Sequence, residues 1–307
     1  MDAAPATNLR CSANSLAVGE PLYATASKTD VWILVEYPDV MGTKALKDSS
    51  IPKPVIAYLE QLPKDILHSR LLLIKKSNRS SEGALTAFVC IASKKTPALY
   101  QTNFVNYEEL LSKDILGLVS GSPNDHFEHF QDKLYLVCTN AMRDRCCGLW
   151  GGAVFKVASQ YAGEAVWQSS HVGGHRFAAN LICLPHGLYY GRVRPENANQ
   201  IIDRYKEHLI DVEHFRGRAC YPPEAQAAEY FLLCETSTTG IDTFLLEDIL
   251  IISDEIQEIH FLSNIDGTRY SVRIRIDISD TEIFESCDKP DKMSRPPRYR
   301  LEGWKKL

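Results

Sequence analysis

Lys133-Leu-Tyr-Leu-Val-Cys138, then Arg143-Asp-Arg-Cys-Cys147-Gly148, then His171-Val-Gly-Gly-His175: these three stretches decide how the chain is read. The first is an apolar run of strand length that ends in a thiol. Eight residues separate Cys138 from Cys147, and Cys146 stands beside the second of them. Past Gly148, the apolar positions Ala153, Val154, Val157, Ala158 and Tyr161 recur at helical spacing and predict a helix over Gly152–Tyr161, with Cys147 just ahead of it. A thiolate in that place meets unpaired N–H groups and the positive end of the helix dipole. Two histidines four apart share a helix face, but Gly173 and Gly174 weaken a helix and permit left-handed backbone angles, so a tight loop aims both rings at one place. The four residues offer two soft and two imidazole donors. On residue types alone they serve an iron–sulfur centre and a Cys2His2 zinc site equally, although a compact zinc knuckle needs fewer residues between its cysteines.

Outward from this stretch, one order of elements is met twice. Residues 31 to 113 read as strand Val31–Tyr37, helix Val55–Leu62, strands Leu71–Lys75, Thr86–Ala92 and Ala98–Phe104, and helix Tyr107–Ser112. Residues 133 to 208 read as strand Lys133–Cys138, helix Gly152–Tyr161, strands Ala165–Ser169, Asn180–Leu184 and Leu188–Val193, and helix Asn197–His208, with Pro185-His186-Gly187 as the hairpin turn. A parallel βαβ unit, an antiparallel hairpin and a closing helix make the thioredoxin plan. The expected fold class is therefore α/β (α+β), with tandem thioredoxin-like units over 1–120 and 121–214 and a small C-terminal α+β appendage over 215–307. The position matching Cys138 in the first unit falls near Glu36-Tyr37-Pro38, with no thiol and no paired histidines after it, so that unit is expected to pack against the second and shield its ligand side. Gly121–Gln131 reads as the linker, with His126 and His129 exposed on it. In the appendage the pattern predicts helices Pro223–Cys234 and Asp242–Leu250, then strands Glu255–Ser263, Thr268–Ile276, Thr281–Ser286 and Arg298–Leu301, with Asp266-Gly267 as a hairpin turn.

Further motifs surround the site in order: Cys11-Ser-Ala-Asn-Ser15 with Gly19-Glu-Pro-Leu-Tyr23, Gly173-Gly-His-Arg-Phe177, Gly191-Arg-Val193, and Arg216-Gly-Arg218 with Tyr221-Pro-Pro223. In these, and in Cys-X8-Cys with His-X-Gly-Gly-His, the chain resembles the sucrase/ferredoxin-like group of thioredoxin-like ferredoxins, over about residues 11 to 235. The resemblance implies an electron carrier holding one [2Fe–2S] cluster, with Cys138 and Cys147 on one iron and His171 and His175 on the other. It selects Cys147 over Cys146 and leaves Cys146 as a buried or reactive neighbour. Neutral imidazoles in place of two thiolates raise the potential relative to an all-cysteine ferredoxin. A ring N–H left free on each histidine allows the electron to be coupled to a proton.

The chain of 307 residues is long enough for two or three modest domains. Its net charge of −5 argues against nucleic acid as a partner, and no stretch approaches the length of a membrane span. The N-terminal stretch Met1–Val18 lacks the apolar run of a signal peptide, which points to the cytoplasm. Nine cysteines there divide into functional thiols and buried hydrophobes, and Cys90 and Cys183, in strand-like runs, belong with the latter. The Asn78-Arg79-Ser80 sequon then has no consequence. Arg143, Asp144 and Arg145 read as a solvated charged loop. Without GxGxxG there is no sign of a bound nicotinamide or flavin, so the reductase and the electron acceptor are separate, unidentified partners. A thioredoxin-like thiol–disulfide oxidoreductase lacks its CxxC motif here, and a sugar hydrolase lacks a marked carboxylate pair.

Overall fold

Val-Trp-Ile-Leu-Val-Glu at residues 31–36 is buried at every position, because both faces of this strand are covered. Val31, Ile33 and Val35 face one core and Trp32 and Leu34 another, the alternation a pleated strand requires. The computed structural model describes residues 10–77, 83–92, 95–289 and 291–307; the sequon at 78–80 lies outside them.

In chain order the first half contains α1 (Cys11–Ala17), β1 (Val31–Glu36), α2 (Lys53–Asp65), β2 (Ser69–Lys75), β3 (Leu85–Ile91), β4 (Ala98–Phe104), a 3-10 segment Tyr107–Ser112, α3 (Ile115–Val119) and β5 (Glu128–His129). The second half contains β6 (Leu134–Cys138), α4 (Arg145–Ala162), β7 (Val166–Ser169), β8 (Leu181–Leu184), β9 (Leu188–Tyr190), α5 (Pro195–Lys206) and β10 (Phe215–Arg218). These ten strands form one sheet in the order β10-β9-β8-β6-β7-β2-β1-β3-β4-β5. Each half has the same internal order: a parallel pair (β1 with β2, β6 with β7), then an antiparallel neighbour (β3, β8), its hairpin partner (β4, β9) and an outer strand (β5, β10). This is the thioredoxin plan, twice. The halves meet where β2 pairs antiparallel with β7, Ile74 opposite Ser169 and Lys75 opposite Gln168.

The chain continues through α6 (Pro223–Thr236) into β11 (Phe244–Ile251), β12 (Ile256–Ser263), β13 (Arg269–Ile278), a short ribbon of β14 (Ile283–Phe284) and β15 (Met293–Ser294), and β16 (Pro297–Lys306). β11, β12, β13 and β16 make an antiparallel sheet, and α6 is buried between it and β10. Two sequence expectations are corrected. Asp242–Leu250 is not a helix: Phe244 and Leu246 alternate inward along β11, an edge strand whose register shifts between Leu246 and Asp248. Residues 215–218 belong to the large sheet rather than to the appendage, because Arg216 and Arg218, which make the stretch look unlike a strand, are both buried with partners. His126 and His129 are exposed, and Cys90 and Cys183 are buried, as their contexts suggested. No helix among the described residues is long and apolar enough to cross a membrane.

Candidate metal centre

Cys138 is the last residue of β6, and Cys147 lies in the first turn of α4, so both thiols stand at the carboxyl end of the parallel strands. Two glycines allow the helix to come this close. A Cβ at Gly151 would overlap the Cys138 carbonyl oxygen, and one at Gly148 would overlap the β-carbon of Ala141 in the loop before the helix. Asp144 caps the helix, its carboxylate accepting the Cys146 N–H at 2.8 Å.

The loop after β7 carries the histidines. Gly173 and Gly174 have φ of +92° and +69°, and a Cβ at Gly174 would strike the Arg216 guanidinium. Arg216 is buried and braces this loop: it donates to the Gly173 carbonyl (3.3 Å), to Asn180 Oδ1 (2.8 Å) and to Thr25, while the Asn180 amide donates to the Gly174 carbonyl (2.9 Å). Burial brings the Arg216 guanidinium down to about 9. The first half contributes as well. Arg70, from β2, donates to the Val172 carbonyl and to the Tyr189 hydroxyl.

These supports bring the ligand atoms of Cys138, Cys147 and His171 within 4.8 Å of one another. His171 Nδ1 is 3.9 Å from Cys147 Sγ. His175 stands next to His171, ring centres 5.0 Å apart. Its Nε2 faces the Asp144 carboxylate at 3.8 Å, and its Nδ1 is buried with no hydrogen-bond partner. A buried, unpartnered ring nitrogen beside two buried thiols and a second imidazole is a set of donors that fits a [2Fe–2S] group. The Cys147 thiol, donating to Cys138, holds Cys138 below the usual thiol range against the opposing effect of burial, and Cys147 rises in turn. Burial lowers His175, which favours the neutral imidazole that metal binding requires.

His171 lines a cleft of about 160 Å3 with Thr43, Leu46 and Leu71 from the first half and Asn140 and Ser170 from the second. A larger hollow of about 960 Å3, between Lys76, Phe88, Phe155 and Trp167, contains none of the four residues.

Cys146 points away from this set. It meets Cys11 and Cys287, which no local pattern joins, and Asp144 lies against them fully buried, not in a solvated loop. The Cys11 thiol, donating to Cys146, brings Cys146 down to about 6 against burial, while Cys11 rises. The doublet Cys146-Cys147 was the one available signal: adjacent side chains on a helix face different directions, so two thiols in a row serve two places.

The sucrase/ferredoxin-like family model matches residues 22–217, well over half of the chain. The chain belongs to the sucrase/ferredoxin-like family. It is similar to altered inheritance of mitochondria protein 32 of the yeast Meyerozyma guilliermondii (32% identical over 97 residues, 28% of this chain and 34% of the relative). It is also similar to the protein of that name from Eremothecium gossypii (28% over 116 residues, 33% and 37%). The chain thus spans about a third of the length of these relatives. Among solved structures, cysteine-to-serine variants of the thioredoxin-like [2Fe–2S] ferredoxin from Aquifex aeolicus match at 16% identity and TM-score 0.26 (28% of this chain, all of that one) and at 18% and 0.24 (27% and 96%). Scores that low do not carry the fold, which rests on the strand order above.

Proposed function

We propose that this protein is an electron carrier holding one [2Fe–2S] cluster, with Cys138 and Cys147 on one iron and His171 and His175 on the other. The observation that carries the reading is the convergence of Cys138, Cys147 and His171 beside the orphaned Nδ1 of His175. The alternative, a single tetrahedral zinc, needs all four donors around one point at about 2.0–2.3 Å. His175 stands outside the group of three that lie within 4.8 Å, which favours a longer, binuclear group. When bound, the cluster supplies one-electron chemistry.

The chain's own residues orient and insulate it. Arg216 and Asn180 fix the histidine loop, Asp144 holds the outer edge of the His175 ring, and Arg70 ties the first unit to Val172. His171 lines the cleft, and that cleft is where a reductase or an acceptor approaches. Proton coupling follows from the same exposure. A ring N–H that exchanges with solvent is harder to lose after reduction, so the midpoint potential falls as pH rises. We assign this carrier to the cytoplasm; the name of the fungal relatives makes a mitochondrial fraction the competing result of cell fractionation. The test is protein purified without oxygen. Two irons per chain, a visible chromophore and an EPR signal on reduction are expected, with a potential that declines through the neutral-to-alkaline range. Zinc in place of iron at Cys138 removes the reading, and a pH-independent potential removes the proton coupling.

A further inference from the structure

Outside that site, three thiols from remote parts of the chain form a nearly equilateral triangle. Cys11 Sγ to Cys146 Sγ is 3.5 Å, Cys146 Sγ to Cys287 Sγ is 3.4 Å, and Cys287 Sγ to Cys11 Sγ is 3.5 Å. These edges are much too long for a disulfide, whose sulfurs lie about 2.0 Å apart. They are close to the roughly 3.8 Å separation of sulfurs bound at about 2.3 Å to one tetrahedral zinc ion. Cys11 and Cys146 are fully buried. The Asp144 carboxylate lies on the triangle, Oδ1 and Oδ2 at 3.7 and 3.8 Å from Cys11 Sγ, and the four ligand atoms fall within 4.8 Å of one another. Surrounding donors set Asp144 in this place: the N–H groups of Cys146 (2.8 Å) and Cys287 (3.0 Å) and the Ser286 hydroxyl (3.3 Å).

We propose that Cys11, Cys146 and Cys287, with Asp144 as the fourth donor, bind one zinc ion that is separate from the iron site. Three soft thiolates and one carboxylate around a closed, buried point suit a structural zinc, which keeps no open position. Its effect is to staple two segments 276 residues apart in sequence to the start of α4. The ion thereby clamps α1 and the segment after β14 over the face where Asp144 meets His175. The two donor sets share no residue; they touch where Asp144 faces His175 and are joined through the consecutive Cys146 and Cys147.

Metal analysis of the full-length protein tests this, with zinc and iron counted separately so that failure of one site is distinct from failure of the other. The wild-type chain is expected to hold about one zinc in addition to iron. Cys287→Ser and Cys11→Ser are expected to lose the zinc and keep the iron, whereas Cys138→Ser loses the iron and keeps the zinc. Cys287→His, which restores a zinc donor at a partly exposed position, is expected to recover the ion and keeps the test usable where Cys11→Ser does not fold. Loss of the ion is expected to increase hydrogen exchange over residues 283–289 without loss of iron. Wild-type protein without zinc, zinc that follows Cys138 instead of Cys287, or two of the three thiols found oxidised to a disulfide would each overturn the proposal.

Discussion

The two halves of the large sheet share one strand plan and differ at a single end of it. In the second half, β6 ends in Cys138, and the helix that follows is drawn against it through Gly148 and Gly151. In the first, β1 ends in Glu36, the Glu36 carboxylate accepts the Thr86 N–H at 2.9 Å, and α2 begins only at Lys53 after a long loop. Strand pairing therefore does not require the ligands, and the ligands do not follow from strand pairing. The half that carries the candidate ligands also brings its first helix close against its strand, through Gly151. The supporting half is not idle: through Arg70 it braces the loop that carries the histidines.

The largest effect expected is at the thiols themselves. Cys138→Ser and Cys147→Ser should abolish iron binding, while Cys146→Ser, whose side chain belongs to the other thiol group, should retain it; iron per chain on the three variants decides. Iron lost with Cys146 and kept without Cys147 would shift the ligand assignment by one residue. Helix approach comes next. Gly151→Ala puts a methyl group onto the Cys138 carbonyl and should cost about 1–3 kcal/mol of stability along with iron retention. Gly152→Ala, one position on with nothing within 4 Å, should instead stabilise α4 by up to about 1 kcal/mol. Thermal melts that move the same way for both would sink the close-approach argument.

A pH effect distinguishes the second half's hairpin. His186, at the turn between β8 and β9, is brought down to about 3 by burial and by Arg218, His208 and Lys133 around it, and its Nδ1 bonds the Tyr205 hydroxyl at 2.6 Å. The ring stays neutral in the fold but takes up a proton near pH 6.5 when unfolded. Stability should hold above about pH 6.5 and fall, by up to about 1.4 kcal/mol per pH unit, as pH drops from there toward 3. His186→Gln should flatten that acid limb in urea melts; an unchanged limb would place the acid sensitivity elsewhere. The smallest effect belongs to the brace between halves. Arg70→Gln should leave the fold intact and speed iron loss to a chelator a few-fold, on the order of 1 kcal/mol for a hydrogen bond weakened. Release at the wild-type rate would mean that the histidine loop needs no help from the first unit.

Much of this molecule could be read before folding. Apolar runs such as Trp32–Val35 and Leu134–Val137 are buried on both faces and so announce themselves in composition. The histidine loop was visible through its glycines. Residues 242–250 misled because Leu245, Leu246 and Ile249 mimic helical spacing on what is an edge strand, where one face needs little apolar cover. The strand at 215–218 was hidden because its buried arginines have partners, Thr25, Asn180 and Glu229, that only the tertiary fold supplies. Nor does any local pattern connect Cys11 with Cys287. Their meeting depends on two segments remote in sequence returning to one helix start.

The seam between β2 and β7 has a consequence for solubility. Cut the chain there and each half displays a strand flank with unpaired N–H and carbonyl groups, the template on which sheets of separate molecules add to one another. Joined in tandem, each half covers part of the other's sticky border through two facing residue pairs. A second half produced alone is thereby set to self-associate or precipitate, however well its own core packs.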